Sequence, residues 1–345
     1  MNNQSILNNL VNENERNVFK AMYQDMETGK AILNPKQLGV FLREATLPNT
    51  ILRDASFELM ERPKMELNRT GINGRVLTNG YNASGVTDEN IAAADVDFGA
   101  NELDVKKLKA LCEITDDEKD DNIEQAQFEQ TLLSMMGERV GEDLEFWALF
   151  ADTTIPRATN ALLNTADGWL KKSGTKLNST GNAAENTDGD FDLDNTVEAM
   201  FDKMIAEMPP RWRDRSKLAF YVPFEVEDAY RNLLKSRGTV LGDSVQTNFA
   251  PLSYKNIPVK TCTTLDAEDA RSIDNTATSI LCRPDQMKYG VFKQVSVEPE
   301  RKPGLELTKY WFRIRTDVEY TFRNTAVTAK MTTAEVAAIQ ESHKL

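Results

Sequence analysis

The stretch KKLKALCEIT, residues 106–115, runs into DDEKDD, residues 116–121, and then into a proline-free segment over residues 122–150. In its first part the even positions from Leu108 to Ile114 are apolar, and the odd positions from 107 to 113 are charged except for Leu111. This period of two residues predicts a strand with one face packed on a core. Thr115 and Glu118 follow with the spacing of a capping box, which predicts that a helix starts here.

The segment after this start predicts one long helix over residues 122–150, about 43 Å at ~1.5 Å per residue. Gly137 and Gly141 weaken this helix, each by about 1 kcal/mol relative to alanine. The pattern alone also fits the central helix of an ordinary two-layer domain. Apolar residues recur every three or four positions, which is typical of a helix with a buried stripe. The stripe consists of Phe128, Leu132, Met136, Val140, Leu144 and Trp147.

Length and composition limit the class of protein. With 345 residues the chain exceeds the size at which a single core stops growing, so two or more domains are expected. The net charge of −13 argues against tight wrapping of nucleic acid by the chain, although a container wall that faces nucleic acid stays compatible with it. No apolar run approaches a membrane span, no secretory signal is visible, and the three cysteines lack metal or redox spacing.

The first hundred residues suggest an arm followed by a long hairpin. Residues 1–50 are expected to form two helices that dock on another surface, and residues 56–67 an extended strand in which Pro63 requires an edge or irregular position. Residues 68–101 are rich in glycine, asparagine and aspartate, which is turn chemistry. Since a structureless loop of this length is unusual inside a compact domain, we expect a hairpin that is held by neighbouring subunits.

The second half of the chain predicts a mixed α/β unit and a long strand. Helices are expected over residues 156–170, 195–208 and 225–235, and residues 171–194 are expected to form a surface loop. Short strands are expected over residues 217–222, 258–262 and 279–282. From Tyr310 to Phe322 aromatic and aliphatic residues alternate with charged ones, which predicts a long strand with one buried face. The spacing of Thr332 and Glu335 caps a short final helix.

The sequence offers little catalytic or metal-binding chemistry. The only histidine is His343, and no phosphate-binding loop, dinucleotide-binding turn or nucleophile elbow is present. The alternating acids of residues 188–194 resemble a calcium loop, but Leu193 replaces the required glycine, so a solvated loop is favoured. The basic aromatic segment of residues 211–215 could stack on nucleic acid, although ion pairing within an acidic protein is favoured. We therefore predict no active site, no cofactor and no metal site.

The order of these elements resembles a known family. A helical arm precedes a glycine-bearing hairpin, a strand and a very long helix, and an α/β unit with YKNIPV at 254–259 precedes DQMKYG at 285–290 and the long arginine-bearing strand. This order resembles the major capsid proteins of tailed double-stranded-DNA phages, which have the Hong Kong 97 fold. The resemblance implies an α+β fold with an N-terminal arm (1–55), an extended loop (56–104), a peripheral domain with the spine helix (105–154), an axial domain (155–284), a return strand of the peripheral domain (285–331) and a C-terminal helix (332–345).

The same resemblance implies a structural role and not an enzymatic one. The expected function is self-assembly, in the host bacterial cytoplasm, into the icosahedral shell of a virion that encloses double-stranded DNA. The implied partners are further copies in hexamers and pentamers, with separate scaffold and decoration proteins left open, only non-specific contact with DNA, and no membrane. The alternatives are a shell subunit of a bacterial nanocompartment, a non-shell virion component such as a portal or tail protein, and a soluble α/β enzyme.

Contacts between subunits are expected in the arm and along the hairpin. The hairpin residues predicted to contact a neighbouring copy are Met65, Leu67, Arg69, Arg75, Phe98 and Leu103.

Overall fold

The structure, a computed structural model, describes residues 51–73, 95–117, 128–179, 197–236, 252–266, 276–292 and 296–342. Its described part is built on a five-stranded sheet and a six-stranded sheet, here called the body together with the helices packed on them. A separate two-stranded sheet is formed by the hairpin. Residues 1–50 of the predicted arm (1–55) lie outside the described residues.

The five-stranded sheet is organised around its longest strand, which runs from Leu307 to Tyr320. The strands of this sheet, in chain order, are β1 (Ser56–Met60), β4 (Lys106–Thr115), β10 (Met287–Phe292), β11 (Ser296–Lys302) and β12 (Leu307–Tyr320). β12 pairs antiparallel with β4, β10 and β11, and β1 pairs parallel with β10. The two strands predicted from alternation are therefore confirmed, and they are neighbours. β12 begins three residues earlier than predicted and ends two residues earlier.

A long helix, α2 (Phe128–Phe150), covers one face of this sheet. Its residues Val140, Leu144 and Trp147 are buried in the cluster that also contains Ile114 and Phe312 of the sheet. This part of the predicted helix is confirmed, and the helix continues through both glycines. Residues 122–127, where we expected the helix to begin, lie outside the described residues. None of the described helices has the length and hydropathy of a membrane span.

The strands of the six-stranded sheet are β5 (Thr175–Asn178), β6 (Ala219–Val222), β7 (Ser253–Tyr254), β8 (Ile257–Thr261), β9 (Thr276–Cys282) and β13 (Ala326–Thr332). Their order across the sheet is β5-β13-β9-β6-β8-β7. One face packs on α4 (Val197–Glu207), α5 (Phe224–Ser236) and α6 (Thr333–Ser342). The opposite face shares a core with α2, so every residue of β6 is buried. The expected helix over 225–235 is confirmed, and so is that over 195–208 from residue 197 onward, since residues 195 and 196 lie outside the described residues. The capping of α6 is also confirmed, because Thr332 N–H donates to Glu335.

Four expectations differ from the structure. The surface loop expected over 171–194 contains strand β5, whose Leu177 is buried, and residues 180–194 lie outside the described residues. The helix expected over 156–170 is wrong, because Asn160 accepts hydrogen bonds from the N–H groups of Leu162 and Leu163 and so closes a turn. A single 3-10 turn (Leu163–Thr165) and a short helix, α3 (Trp169–Lys172), follow. The strand expected over 56–67 is interrupted at residues 61–63, where the Pro63 carbonyl accepts a bond from Val105 N–H. The predicted return segment 285–331 is divided between the sheets, because β13 pairs with β5 and β9.

The beginning of the described chain is fastened to the junction between the two sheets. A short helix, α1 (Ile51–Asp54), buries Ile51 completely. Its Leu52 N–H donates to the buried carboxylate of Glu145, 3.3 Å away, which also accepts bonds from Cys262 and Thr264. The place where the predicted arm would leave the body is therefore fixed.

The end of α2 packs against backbone at Gly168, and this contact gives a testable prediction. A Cβ atom at Gly168 would lie 2.6 Å from the Leu149 carbonyl oxygen and 2.7 Å from that of Ala148. Because both neighbours are backbone atoms, Gly168→Ala should lower the free energy of unfolding by about 2–4 kcal/mol, measured by urea denaturation. Gly304→Ala is the control, since nothing lies within 4 Å of a Cβ atom there. Equal stability of the two variants would contradict the prediction.

Candidate intersubunit surface

The hairpin is a regular two-stranded ribbon. β2 (Lys64–Asn73) and β3 (Asp95–Asp104) pair antiparallel from Lys64↔Asp104 to Asn73↔Asp95. These two strands are called the ribbon below. The paired part is about 30 Å long at ~3.4 Å per residue. A ribbon of two strands is at best marginally stable by itself, so its orientation depends on what holds it.

An apolar cluster holds the base of the ribbon. Met60, Leu67 and Leu103 are buried together, with Met65 and Phe292 packed around them. The cluster lies above β10 at Gly290, where an added Cβ atom would lie 2.8 Å from the Met60 sulfur and 3.1 Å from Leu103. The absence of a side chain at this position is therefore what lets the ribbon base sit on the sheet.

Polar bonds to β12 hold the same end. The backbone N–H of Asp104 donates to Oδ2 of Asp317 at 2.7 Å. Asn101 Nδ2 donates to the carbonyl oxygens of Tyr320 and Thr321 at 2.7 and 3.1 Å. Both contacts lie within four residues of the end of β3, so the described bonds to β12 act at the base of the ribbon.

Asp317 belongs to a buried group of charges beneath the ribbon. Asp317 is 4% exposed and Glu319 is 2% exposed. The ammonium group of Lys172 lies 3.7 Å from Asp317 and 3.3 Å from Glu319, and Arg323 binds both oxygens of Glu319 at 3.0 Å. Burial raises the pKa of Asp317 above its ordinary value, against the opposing effects of Lys172 and of the N–H groups of Asp104 and Val318. The bonds to Glu319 raise the pKa of Arg323.

The predicted contact residues are distributed along this ribbon. Leu103 is fully buried and Leu67 nearly so, within their own chain, because both face the base cluster. Little or none of either side chain is exposed for contact with another copy. In the structure, both side chains instead hold the base of the ribbon. Met65 is half-buried beside them, and Arg69 lies across Gly99 on the paired strand. Phe98 pairs with Thr70 through its backbone, and Arg75 lies outside the described residues.

A second surface, not foreseen from the sequence, lies on the face of the five-stranded sheet opposite α2. The register places Lys107 directly beside Arg315 and Lys109 beside Arg313. These four residues are called the cation block. Like charges directly opposite each other on neighbouring strands are destabilising. Within the described residues, the only salt bridge of the block joins Arg313 to Glu298 at 2.7 Å.

Two apolar residues, Leu111 and Trp311, lie next to the cation block on the same face. They form the next pair of the register, and Leu111 is 40% exposed. The Trp311 indole N–H donates to Glu300 at 2.9 Å, which keeps its ring in place. A basic area next to exposed apolar side chains is suited to an acidic, partly apolar polypeptide. Its charges were visible in the sequence as odd positions of two strands, but their juxtaposition requires the pairing of β4 with β12.

Comparisons with known proteins, by sequence and by fold, both find capsid proteins. The chain is 22% identical over 280 residues, 80% of this chain and 84% of the relative, to the putative prophage capsid protein YqbE of Bacillus subtilis (strain 168). No protein-family model matches the sequence.

Capsid structures are among the solved structures that have a similar fold. The satellite phage P4 procapsid matches with a TM-score of 0.60 and 13% identity, over 87% of this chain and 92% of that chain. The capsid of a native GTA particle matches with a TM-score of 0.59 and 12% identity, over 84% and 91%. A chain of Mycobacterium phage Ogopogo matches with a TM-score of 0.55 and 10% identity, over 82% and 92%. The chain therefore has the Hong Kong 97-type fold of these capsid structures.

Proposed function

We propose that this chain is a major capsid protein, the subunit of a closed icosahedral shell around a phage double-stranded-DNA genome. The observation that carries the proposal is the ribbon: ten residue pairs whose base is fixed on the body of a chain with a capsid fold. An extended two-stranded element gains stability when a neighbouring surface covers it. In a shell, the next subunit supplies that surface, and the energy of covering the ribbon becomes energy of assembly.

The cation block is the surface that we propose for receiving the ribbon of a neighbouring copy. The ribbon strand β3 carries four acidic residues and no basic one. Glu102 and Asp104 are paired with Lys64 and Lys106 of their own chain, so Asp95 and Asp97 would supply the charge that is complementary to the block. Residues two apart on a strand are about 6.8 Å apart, so the charges of a strand can follow those of β4 and β12 in step. An acidic partner would also remove the unfavourable pairing of Lys107 with Arg315 and of Lys109 with Arg313.

The shell proposal extends to the genome and to other partners. Copies would meet in hexamers and pentamers, and scaffold and decoration proteins would bind as separate chains. The net charge of −13 per copy suits a wall that holds DNA without binding it tightly. Contact with DNA is therefore proposed to be non-specific.

The proposal is tested by expressing the full chain and viewing it by negative-stain microscopy. We expect closed shells of uniform size, either from the chain alone or after coexpression with a scaffold protein from the same genome. Small discrete particles under both conditions would overturn the shell proposal, and rings or tubes would indicate a portal or tail component. Particles from the natural source should protect nucleic acid from nuclease. Shells filled with an enzyme would favour the nanocompartment.

A further inference from the structure

We infer that Asp317 is a positioning residue that sets the angle at which the ribbon leaves the body, and thereby the curvature of the shell. The inference rests on the proposed function, since an angle of the ribbon has meaning only if the ribbon reaches another copy. Asp317 itself would touch no neighbour, because it is buried within its own chain. It would act through the backbone of Asp104, the last residue of the ribbon.

The geometry brings several elements together at this one carboxylate. Its Oδ2 accepts the bond from Asp104 N–H, and its Oδ1 accepts a bond of 2.8 Å from Val318 N–H. Lys172 of α3 lies on the side of Oδ1 and donates to the Val318 carbonyl oxygen at 2.6 Å. Asp317 also pairs with Gly290, the residue on which the apolar base cluster sits. The ribbon, β10, β12 and α3 therefore meet at Asp317.

Stability alone does not explain a carboxylate at this position. A buried charge costs desolvation energy, and buried ion pairs can often be replaced by apolar residues with little or no loss of stability. The raised pKa of Asp317 indicates that burial is not fully compensated by Lys172 and the two N–H groups. What the carboxylate provides and an apolar residue does not is a directed bond to one N–H group, which fixes an orientation.

The length of the ribbon magnifies this orientation. If the ribbon turned by about 10° at its base, the far end of its ~30 Å paired part would move by about 5 Å. A displacement of that size changes which residues of a neighbouring copy the ribbon meets. In a closed lattice the angle between adjacent copies decides how many copies complete the shell. An error at the base therefore becomes an error in particle diameter.

The test compares Asp317→Ala and Asp317→Asn with a matched control, Glu319→Ala. Glu319 lies two residues away on the same strand, is equally buried and faces the same ammonium group, but its described bonds do not reach the ribbon. Hydrogen exchange of residues 101–106 is measured in the unassembled full chain, and particle diameters are measured by electron microscopy. Asp317→Ala should speed exchange of the Asp104 amide about tenfold, as expected for one lost hydrogen bond, and should broaden or shift the diameters.

The two remaining variants separate positioning from stability. Asp317→Asn keeps one acceptor oxygen, so it should restore part of the protection of Asp104 and part of the uniformity of the particles. Glu319→Ala should lower the melting temperature but leave both readouts at the wild-type value. The inference is overturned if Asp317→Ala leaves exchange and diameters unchanged, or if Glu319→Ala alters them equally. Failure of the proposed function is a different result, in which the wild-type chain itself forms no shell while its exchange pattern is still measurable.

Discussion

Removing residues 70–100 and joining the remaining strands through an Asn-Gly turn should abolish closed particles while leaving the body folded. The deletion removes the outer part of the ribbon and retains its base, including Met65, Leu67 and Leu103 in the apolar cluster. The six-stranded sheet and its helices make no described contact with the outer ribbon, so their core should persist. Sedimentation velocity and negative-stain microscopy would report assembly, and near-ultraviolet circular dichroism would report the packing of the body.

The control for this deletion is the melting transition of the shortened chain. A transition within a few degrees of that of the wild type would show that lost assembly does not come from lost folding. Shells of normal diameter from the shortened chain would contradict the central role of the ribbon. An unfolded product would instead mean that the ribbon completes the subunit itself, which also contradicts the prediction.

Reversing the charges of Lys107 and Lys109 to glutamate should have opposite effects on the subunit and on the shell. Each new glutamate faces an arginine across the sheet, Arg315 or Arg313, so two repulsive pairs become attractive. The free energy of unfolding of the monomer should therefore rise by about 0.2–1 kcal/mol per pair. Closed particles should nevertheless fall at least tenfold in yield, because the block would then repel the acidic strand β3 of a neighbour.

The matched control is the double variant Lys203→Glu and Lys217→Glu, which makes the same change of net charge elsewhere on the surface. Lys203 and Lys217 each form a salt bridge within a few residues of their own position, with Glu207 and Asp214. We expect this control to assemble normally and to be slightly less stable. Normal shells from the Lys107 and Lys109 variant would refute the proposed receiving surface. Normal shells that no longer retain nucleic acid would assign the block to DNA instead.

Local sequence patterns predicted the individual helices and strands of this fold better than they predicted which strands pair with each other. The alternation in β4 and β12 and the stripe of α2 each reflect burial of one face, and that information is present in consecutive residues. The pairing of β4 with β12 joins residues about two hundred positions apart, and no local pattern encodes it. β10 and β11 were not predicted, because Gly290 and Pro299 interrupt the sequence pattern of a strand and because β11 is mostly polar.

The remaining errors have identifiable causes in side-chain hydrogen bonds and in burial. Residues 156–170 have helical spacing, but Asn160 and Asn164 bind nearby backbone groups, so a turn replaces the helix. For the candidate surface, the sequence predicted a hairpin, but not that its strands extend to Asn73 and begin at Asp95, inside the stretch interpreted as turns. The sequence also did not show which way the side chains of the ribbon point. Leu103, for example, packs into the base cluster of its own subunit. That distinction depends on tertiary contacts with Met60 and Gly290.

The core shared by the two sheets has a mechanical consequence. Trp147 of the long helix and Tyr320 of the central strand belong to one buried cluster, and the Tyr320 hydroxyl donates to the Trp169 carbonyl oxygen at 3.3 Å. Sliding one sheet past the other would open voids in a close-packed interior, which is energetically expensive. Each subunit should therefore behave as a rigid body. If the chain forms the proposed shell, swelling or flattening of the lattice would place the strain between subunits, at the ribbon that is proposed to join them.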